Sequence, residues 1–318
     1  MTKFESLICR TPPFSFIIRK SKNIYLPGFE GIVLYEVGEF FFKQLKKLSL
    51  IERAAAISFN LIMALPAAVL FLFSIVPYLP GSDNFKTQIL GLFKDLTPNS
   101  NTYKFIETLL NDLFKKHVGV FSSGFVLLIF YSSNAMIGII RTFDRSIQEN
   151  KVFFLHKRWR AIKLTTILIL LLIASTLVLI GQQELMGLLK SLFNFKRRTS
   201  LPWWNGVRWV IIFAFLFYGI AFVYKFAPSV QKRWRLLSPG SIFATVFILL
   251  ATLGFSYWVN NFAHYNKIYG SIGTVLILMI LINFNALILL IGFEINVSIM
   301  TLKKQRDNRL NELVNNSF

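Results

Sequence analysis

Six long apolar segments constrain the fold of this chain more than any other feature of its sequence. A helix that spans a bilayer needs about 20 largely apolar residues, and this chain of 318 residues is 54% hydrophobic. The segments are Ala54 to Tyr78, Val118 to Ile140, Ala161 to Gly181, Trp209 to Tyr224 with its flanks, Ile242 to Asn260, and Thr274 to Ile299. We therefore expect an all-α, polytopic membrane protein with six transmembrane helices.

The basic residues are distributed unevenly between the two ends of these spans. Residues 1–53, 141–163, 225–235 and 301–318, which alternate with the other loops along the chain, hold 24 of the 35 Lys and Arg. Because cytoplasmic loops are rich in Lys and Arg, we expect both termini on the cytoplasmic side of a bacterial inner membrane. The net charge of +20 then faces anionic lipid headgroups, which we expect as partners, whereas nucleic acid is not an expected partner.

Three parts are expected along the chain: an interfacial amphipathic segment at residues 1–52, the transmembrane domain at 53–300, and a polar cytoplasmic tail at 301–318. Apolar residues recur at helical spacing between Leu34 and Leu45. This pattern is typical of an interfacial helix on an anionic leaflet, and equally of a helix packed under the bundle. We expect no secretory signal before the first span, because charged residues occur throughout that part.

The outer loops carry two similar patterns. FIETLLNDLFKK at residues 105–116 and LMGLLKSLFNF at 185–195 each place apolar residues on one helical face. We expect short amphipathic helices on the outer surface of the bundle.

The first two spans contain residues that are unusual in an apolar helix. Pro66 removes a backbone donor from the middle of the first span, where it should kink the helix. Asn60 lies about a turn and a half before it. Asn134 lies in a part of the second span rich in Ser and Gly, which let helices approach closely. These residues either shape a polar cavity or serve packing alone.

The sixth span carries a charge inside an apolar run, since residues 285–300 are NALILLIGFEINVSIM. A charged side chain at the centre of a membrane helix costs about 2.5 to 3.5 kcal/mol or more. Asn283 and Glu294 are eleven residues apart and share one stripe of the helix, while Asn285 and Asn296 form a second stripe roughly opposite. Two polar stripes place this helix inside the bundle.

Two roles are open for Glu294. It can pair with a basic residue of the inner loops, for example Arg141 or Arg145, or it can be coupled to a substrate or a proton. With Asn60, Asn134 and Asn283 it forms our candidate polar path.

A string of small residues precedes the sixth span. Tyr269, Gly270, Ser271 and Gly273 are predicted to lie just before a helix start. Free N–H groups at a helix N-terminus can hold an anion, but such a string is also typical of a tight turn with a Ser cap. We treat these residues as a candidate anion or turn site.

Motifs for catalysis are absent from the sequence. It contains no GxxxxGK[ST] loop, HExxH pair or GxSxG elbow. His117, His156 and His264 lie in three loops on both sides of the predicted membrane, so they cannot share one zinc ion. Cys9 is the only cysteine, which excludes an intramolecular disulfide. We expect no enzyme, no metal and no cofactor.

Several strings together resemble the YihY/BrkB family of bacterial inner-membrane proteins. They are LPGFEGIVLYEV, ERAAAISFNLIMALPAAVLFLFSIVPYLP, FYSSNAMIGIIRTFDRSIQE and, most specifically, YGSIG followed by ALILLIGFEIN. The resemblance runs from about Leu26 to Asn296. It implies a six-helix integral membrane protein with an amphipathic amino-terminal part. The family has carried a virulence-factor name and an old ribonuclease BN label, and some relatives have been connected with export of lipids.

The resemblance also bears on individual residues. Recurring motif positions of the family correspond to Glu294, Gly292, Tyr269, Gly270 and Gly273. Asn283 and Asn285 depart from the commoner aromatic and small residues of the family, so a polar path depends more on Glu294 than on them.

The sequence supports three hypotheses of different classes. The leading one is a transporter or flippase-like protein for an amphipathic, anionic molecule such as a lipid, with the polar residues lining its path. The alternative is a structural or scaffolding membrane protein whose polar residues fasten helices together. A membrane-associated hydrolase or ribonuclease is third and disfavoured. A homo-oligomer is compatible with each.

Overall fold

The computed structural model describes residues 21–25, 27–47, 49–75, 118–147, 154–192, 204–229, 234–261 and 265–315, with residues 90, 104, 107, 108 and 111. Seven helices occupy these ranges: α1 (Leu34–Lys47), α2 (Leu50–Ile75), α3 (Val118–Ile147), α4 (Phe154–Leu192), α5 (Trp204–Phe226), α6 (Pro239–Asn261) and α7 (Tyr265–Asn315). The same ranges contain no strand, so the all-α prediction is confirmed for the described part of the chain.

The six long helices, α2 to α7, pack as a ring. Each contacts the next in chain order, and α7 closes the ring by packing on α2; it also touches α3. Buried side chains of α2, α3, α5 and α7 meet inside, among them Ile57, Phe143, Tyr224 and Leu290. We call the end at which α2 begins and α3 ends the Arg53 end.

Large apolar side chains also cover the outside of the ring. Leu170, Leu250 and Phe284 are examples of exposed apolar residues on three of its helices. A helix that is hydrophobic on both its inner and outer faces is typical of a membrane span. The outer surface is therefore suited to lipid rather than to water.

Five helices of the described part are long and apolar enough to cross a membrane: Leu50–Ala68, Gly124–Ile147, Trp209–Phe226, Pro239–Trp258 and Leu276–Asn315. They contain five of the six predicted spans or a part of each. The third predicted span lies in α4, where only part of the side chains is described. The count of six spans therefore stays a prediction.

One face of α1 packs against α7. Val37 of α1 is buried against Ile299 of α7, and Phe29 and Ile32 of the preceding turn belong to the same small apolar cluster. On other faces of α1, Phe42 and Lys43 are exposed. The helix thus packs under the bundle by one face and retains an outward face that a membrane surface can contact.

The turn before α1 ties it to the far part of α7. Glu30 and Gly31 have positive φ angles of 51° and 80°. Their carbonyl oxygens accept hydrogen bonds from Arg306 at 3.3 and 3.2 Å, and the Glu30 carboxylate pairs with Lys303.

The first fifteen residues of the predicted polar tail, 301–315, continue α7 as helix. The predicted outer helix at 105–116 lies mostly outside the described residues, and that at 185–195 begins within α4.

Candidate functional site

A buried ion pair joins α2 to α7. Arg53, in the first turn of α2, is 4% exposed, and Glu294 of α7 is fully buried. Arg53 Nη1 donates to Glu294 Oε1 at 3.2 Å. Arg53 Nε and Glu294 Oε2 have no hydrogen-bond partner within the described residues, so the pair uses one contact instead of the two of a bidentate fork.

Helix α3 completes this network. Arg53 Nη2 donates to the Thr142 carbonyl oxygen and to Ser146 Oγ, each at 2.5 Å. The Ser146 hydroxyl in turn donates to Glu294 Oε1. We call Arg53, Thr142, Ser146 and Glu294 the buried network. It fastens three helices of the ring at one level.

The predicted pairing of Glu294 with a basic residue of the expected cytoplasmic segments is confirmed, but the two residues given as examples were wrong. The structure pairs Glu294 with Arg53, whereas Arg141 and Arg145 have exposed side chains on α3. The physical reason is the direction of the side chains: Arg53 points into the ring, while the other two arginines lie on the outer face of α3. Arg53 was not singled out from the sequence.

A second polar cluster holds α6 against α7. The Asn296 side chain accepts from the Gly240 backbone N–H and donates to Ser238 Oγ, each at 2.9 Å. The backbones touch here, since a Cβ built on Gly240 would lie 2.0 Å from the Gly292 carbonyl oxygen. Asn296, one member of the second predicted stripe, therefore caps the start of α6 and fastens it to α7. The Asn285 Oδ1 atom is buried and has no hydrogen-bond partner in the described part of the chain.

The other members of the candidate polar path have partners of their own. Asn60 Nδ2 donates to the Ala56 carbonyl oxygen at 2.8 Å and lies against Gly138. Asn134 Oδ1 accepts from Arg158 Nη1 at 2.5 Å. None of these contacts reaches the buried network.

Two predicted positions lie within continuous helices. Asn283, half-buried, is on α7 about three turns before Glu294. Pro66 lies inside α2, which continues from Leu50 to Ile75.

The candidate anion or turn residues Tyr269, Gly270, Ser271 and Gly273 lie inside α7. That helix begins at Tyr265, so the expected helix start after Gly273 is wrong. The physical reason is that a continuous helix satisfies backbone N–H and C=O groups internally, which hydrocarbon requires. The side chains of these four residues lie outside the described ones, and their role as a site stays a prediction.

An apolar cavity of about 250 Å³, partly open to the outside, lies in the ring. Its walls come from α2, α3, α4 and α5 and contain two polar side chains, Ser132 and Thr165. The Thr165 hydroxyl is buried and has no partner among the described residues. The lining residues are Leu61, Ala64, Ala68, Leu128, Ser132, Ala135, Met136, Ile139, Thr165, Leu168, Ile169, Leu172 and Val223.

Aromatic side chains fill the ring between this cavity and the Arg53 end. Phe143 stacks on Phe293 with ring centroids 3.6 Å apart, and Tyr224 meets the edges of both at 5.9 Å. Phe143 is one turn beyond the lining residue Ile139, and Tyr224 follows the lining residue Val223. We call these three residues the aromatic layer. They were not predicted from the sequence, because no single Phe stands out in a chain that contains 34 of them.

In the described part of the chain, neither the buried network nor the cavity shows a metal centre. Within the described residues, no group of three or more His, Cys, Asp or Glu side chains is arranged to hold a metal ion.

Comparisons with known proteins agree with the resemblance found in sequence. The family model described as Virulence factor BrkB matches residues 41–314. The ribonuclease-like protein YfkH of Bacillus subtilis is 28% identical over 260 residues, which cover 80% of this chain and 92% of the relative. A UPF0761 membrane protein of Tolumonas auensis is 22% identical over 267 residues, covering 82% and 84%.

A further relative, the UPF0761 membrane protein MS0032 of Mannheimia succiniciproducens, is 21% identical over 284 residues, which cover 85% of this chain and 92% of the relative. No solved structure matches the chain. Because the family model spans well over half of the sequence, the chain belongs to the virulence factor BrkB family of membrane proteins.

Proposed function

We propose that this protein is a transporter or flippase-like protein of the bacterial inner membrane that moves an amphipathic, anionic molecule such as a lipid. Both termini lie in the cytoplasm in this proposal, so the Arg53 end is the cytoplasmic end. Basic residues gather anionic headgroups at that surface, and the ring of helices supplies the path.

The cavity inside the ring is the observation that carries the proposal. A protein whose only task is to join helices gains from close packing, since an empty space forfeits contacts along its whole lining. Here about 250 Å³ stays open among four helices, next to the aromatic layer. An apolar space inside a membrane-spanning ring suits the apolar part of an amphipathic molecule.

A structural role is the second candidate, and the polar contacts favour it. Glu294 and Asn296 of α7 are both engaged in contacts between helices. Such contacts explain the polar residues without any flux. The ribonuclease-like name of YfkH belongs to that protein, and no feature of the described residues brings nuclease chemistry to this chain.

Lipid movement in proteoliposomes separates these candidates. The liposomes contain phosphatidylglycerol labelled with a fluorophore that an impermeant reductant bleaches in the outer leaflet only. We compare the unchanged protein with Ala64→Trp, which fills the cavity, and with Met63→Trp, which places the same side chain at an outward position that is 52% exposed.

Transport predicts that the unchanged protein and Met63→Trp make inner-leaflet lipid accessible faster than protein-free liposomes do, and that Ala64→Trp removes the effect. Equal rates in protein-free liposomes and with the unchanged protein would contradict movement of this lipid. Stability of all three proteins is checked by size-exclusion chromatography in detergent.

A further inference from the structure

Arg158 of α4 lies against α3 on the outer side of the ring. Its Nη1 atom donates to Asn134 Oδ1 at 2.5 Å, and its Cζ atom lies 5.3 Å from the centroid of the Phe130 ring. Phe130 is 51% exposed, while Arg158 and Asn134 are half-buried. The guanidinium is therefore held between two helices at a surface that faces lipid.

The Arg158 side chain extends away from the Arg53 end. The neighbouring Lys157 pairs with Asp144 Oδ2 at 2.7 Å, and Asp144 lies ten residues beyond Asn134 on α3, a rise of about 15 Å. Two adjacent residues of α4 thus reach in opposite directions along α3. A basic side chain near the end of a span ordinarily extends toward water, whereas Arg158 extends toward the middle of the apolar span Gly124–Ile147.

The charge of Arg158 has no acidic partner on these two helices. Asp144, the only acidic residue of α3, pairs with Lys157. Glu184, the only one of α4, is 26 residues from Arg158, a rise of about 39 Å. A charge inside a membrane span is costly, and the cost falls when the bilayer thins locally so that water or headgroups reach it. Arg158 therefore calls for an anion from outside the helices.

Two donors of Arg158 remain for such an anion. Its Nε and Nη2 atoms have no hydrogen-bond partner within the described residues, and both retain accessible surface. These atoms lie along one edge of the guanidinium, where their N–H bonds match two oxygens of a phosphate. Phosphate is the anionic group that membrane lipids carry at a surface of this kind.

We propose that the Arg158 guanidinium binds the phosphate of an anionic phospholipid, which is drawn between α3 and α4 to the level of Asn134. The phosphate then lies about 10 Å deeper than Arg141, an exposed basic residue seven positions further along α3. The choice of an anionic lipid rests on the proposed function, which this site deepens. A lipid can occupy the site without crossing the membrane, so the binding test below and the flux test above fail separately.

Photocrosslinking from the lipid headgroup measures this depth. The probe is phosphatidylglycerol with a diazirine on its headgroup, in nanodiscs and phosphate-free buffer, and mass spectrometry maps the adducts after irradiation. Surrounding headgroups reach Arg145, an exposed residue in the last turn of α3, in any case. Tyr131, which is 41% exposed and follows Phe130, acquires an adduct only when a headgroup is drawn to the middle of the span.

Two variants and one control sharpen the test. Arg158→Gln removes the charge and should lower the Tyr131 adduct about tenfold, the effect of one hydrogen bond to a charged group, with the Arg145 adduct unchanged. Asn134→Leu releases the guanidinium from this level and should also lower the Tyr131 adduct, which keeps the test valid should Arg158→Gln fail to fold. Arg309→Gln, the control on the exposed part of α7, removes the same charge and should leave both adducts unchanged.

Three outcomes would overturn the proposal. An adduct at Arg145 without one at Tyr131 means that no headgroup reaches the level of Asn134. A Tyr131 adduct that persists in both Arg158→Gln and Asn134→Leu means that the guanidinium does not hold the headgroup. Loss of the Tyr131 adduct in an excess of inorganic phosphate means that the site takes free phosphate instead of a lipid.

Discussion

Removal of Arg53 is the most informative perturbation of the buried network. Arg53→Gln leaves Glu294 fully buried, with the Ser146 hydroxyl as its one remaining partner among the described residues. Breaking a buried ion pair from one side typically costs 3 to 5 kcal/mol, because the other charge stays uncompensated. We therefore expect a large loss in the free energy of unfolding.

The geometry places this loss near the lower end of that range. One contact of 3.2 Å joins the two charged groups, and Glu294 Oε2 and Arg53 Nε are already without partners in the described part of the chain. We expect about 3 kcal/mol for Arg53→Gln. Glu294→Gln should cost a similar amount, since Arg53 then keeps its contacts to Thr142 and Ser146 but loses its counter-ion.

The double variant Arg53→Gln/Glu294→Gln distinguishes an ion pair from two independent residues. It buries no charge, so we expect it to lose no more stability than either single variant, giving a coupling energy of about 3 kcal/mol. Equilibrium unfolding in mixed detergent micelles measures all four proteins. The exposed pair Lys43–Glu39 supplies the control, because Glu39→Gln should cause no measurable change.

A double variant that loses the sum of the two single losses would refute this reasoning. It would mean that the two side chains contribute separately, through packing or through the contacts of Arg53 with α3, and that their mutual attraction is negligible.

Two further predictions concern contacts between helices. Gly240→Ala should lower the free energy of unfolding by about 2 kcal/mol or more, because the new methyl group would overlap the Gly292 carbonyl oxygen. Gly254→Ala, with no atom near the added Cβ, should instead raise it by about 0.5 to 1 kcal/mol. Thermal unfolding in one detergent compares the two variants. Tyr224→Phe removes the hydrogen bond to the Leu289 carbonyl oxygen at 2.6 Å. The same measurement should show that the free energy of unfolding falls by about 1 kcal/mol. An unchanged unfolding temperature would mean that water replaces the hydroxyl.

The helices were largely predictable because hydrocarbon demands long apolar runs. The second predicted span and α3 both begin at Val118, yet α3 continues seven residues past the predicted end at Ile140. The extension contains Arg141 and Arg145, which hydropathy assigns to a loop although Arg is a good helix former. Hydropathy locates the part of a helix that lies in lipid and carries no information on where the helix itself ends.

The site was predictable only where a residue conflicts with its surroundings. Glu294 is conspicuous as a charge in an apolar run, and Asn296 as an amide near it. Arg53 is not conspicuous, since a basic residue at the start of a span is the ordinary pattern. The cavity could not be foreseen, because it is the space left among side chains of four helices and no local pattern encodes it.

Because α7 is long, a small tilt of the helix moves its far end by a large distance. Its 51 residues extend about 76 Å, more than twice the roughly 30 Å of the hydrocarbon layer. From Glu294 to Asn315 the distance along the axis is about 31 Å, so a tilt of about 10° about the buried network would displace that end by about 5 Å. A spectroscopic label at the exposed Leu310 would therefore magnify small rearrangements inside the membrane into distances that can be measured in water.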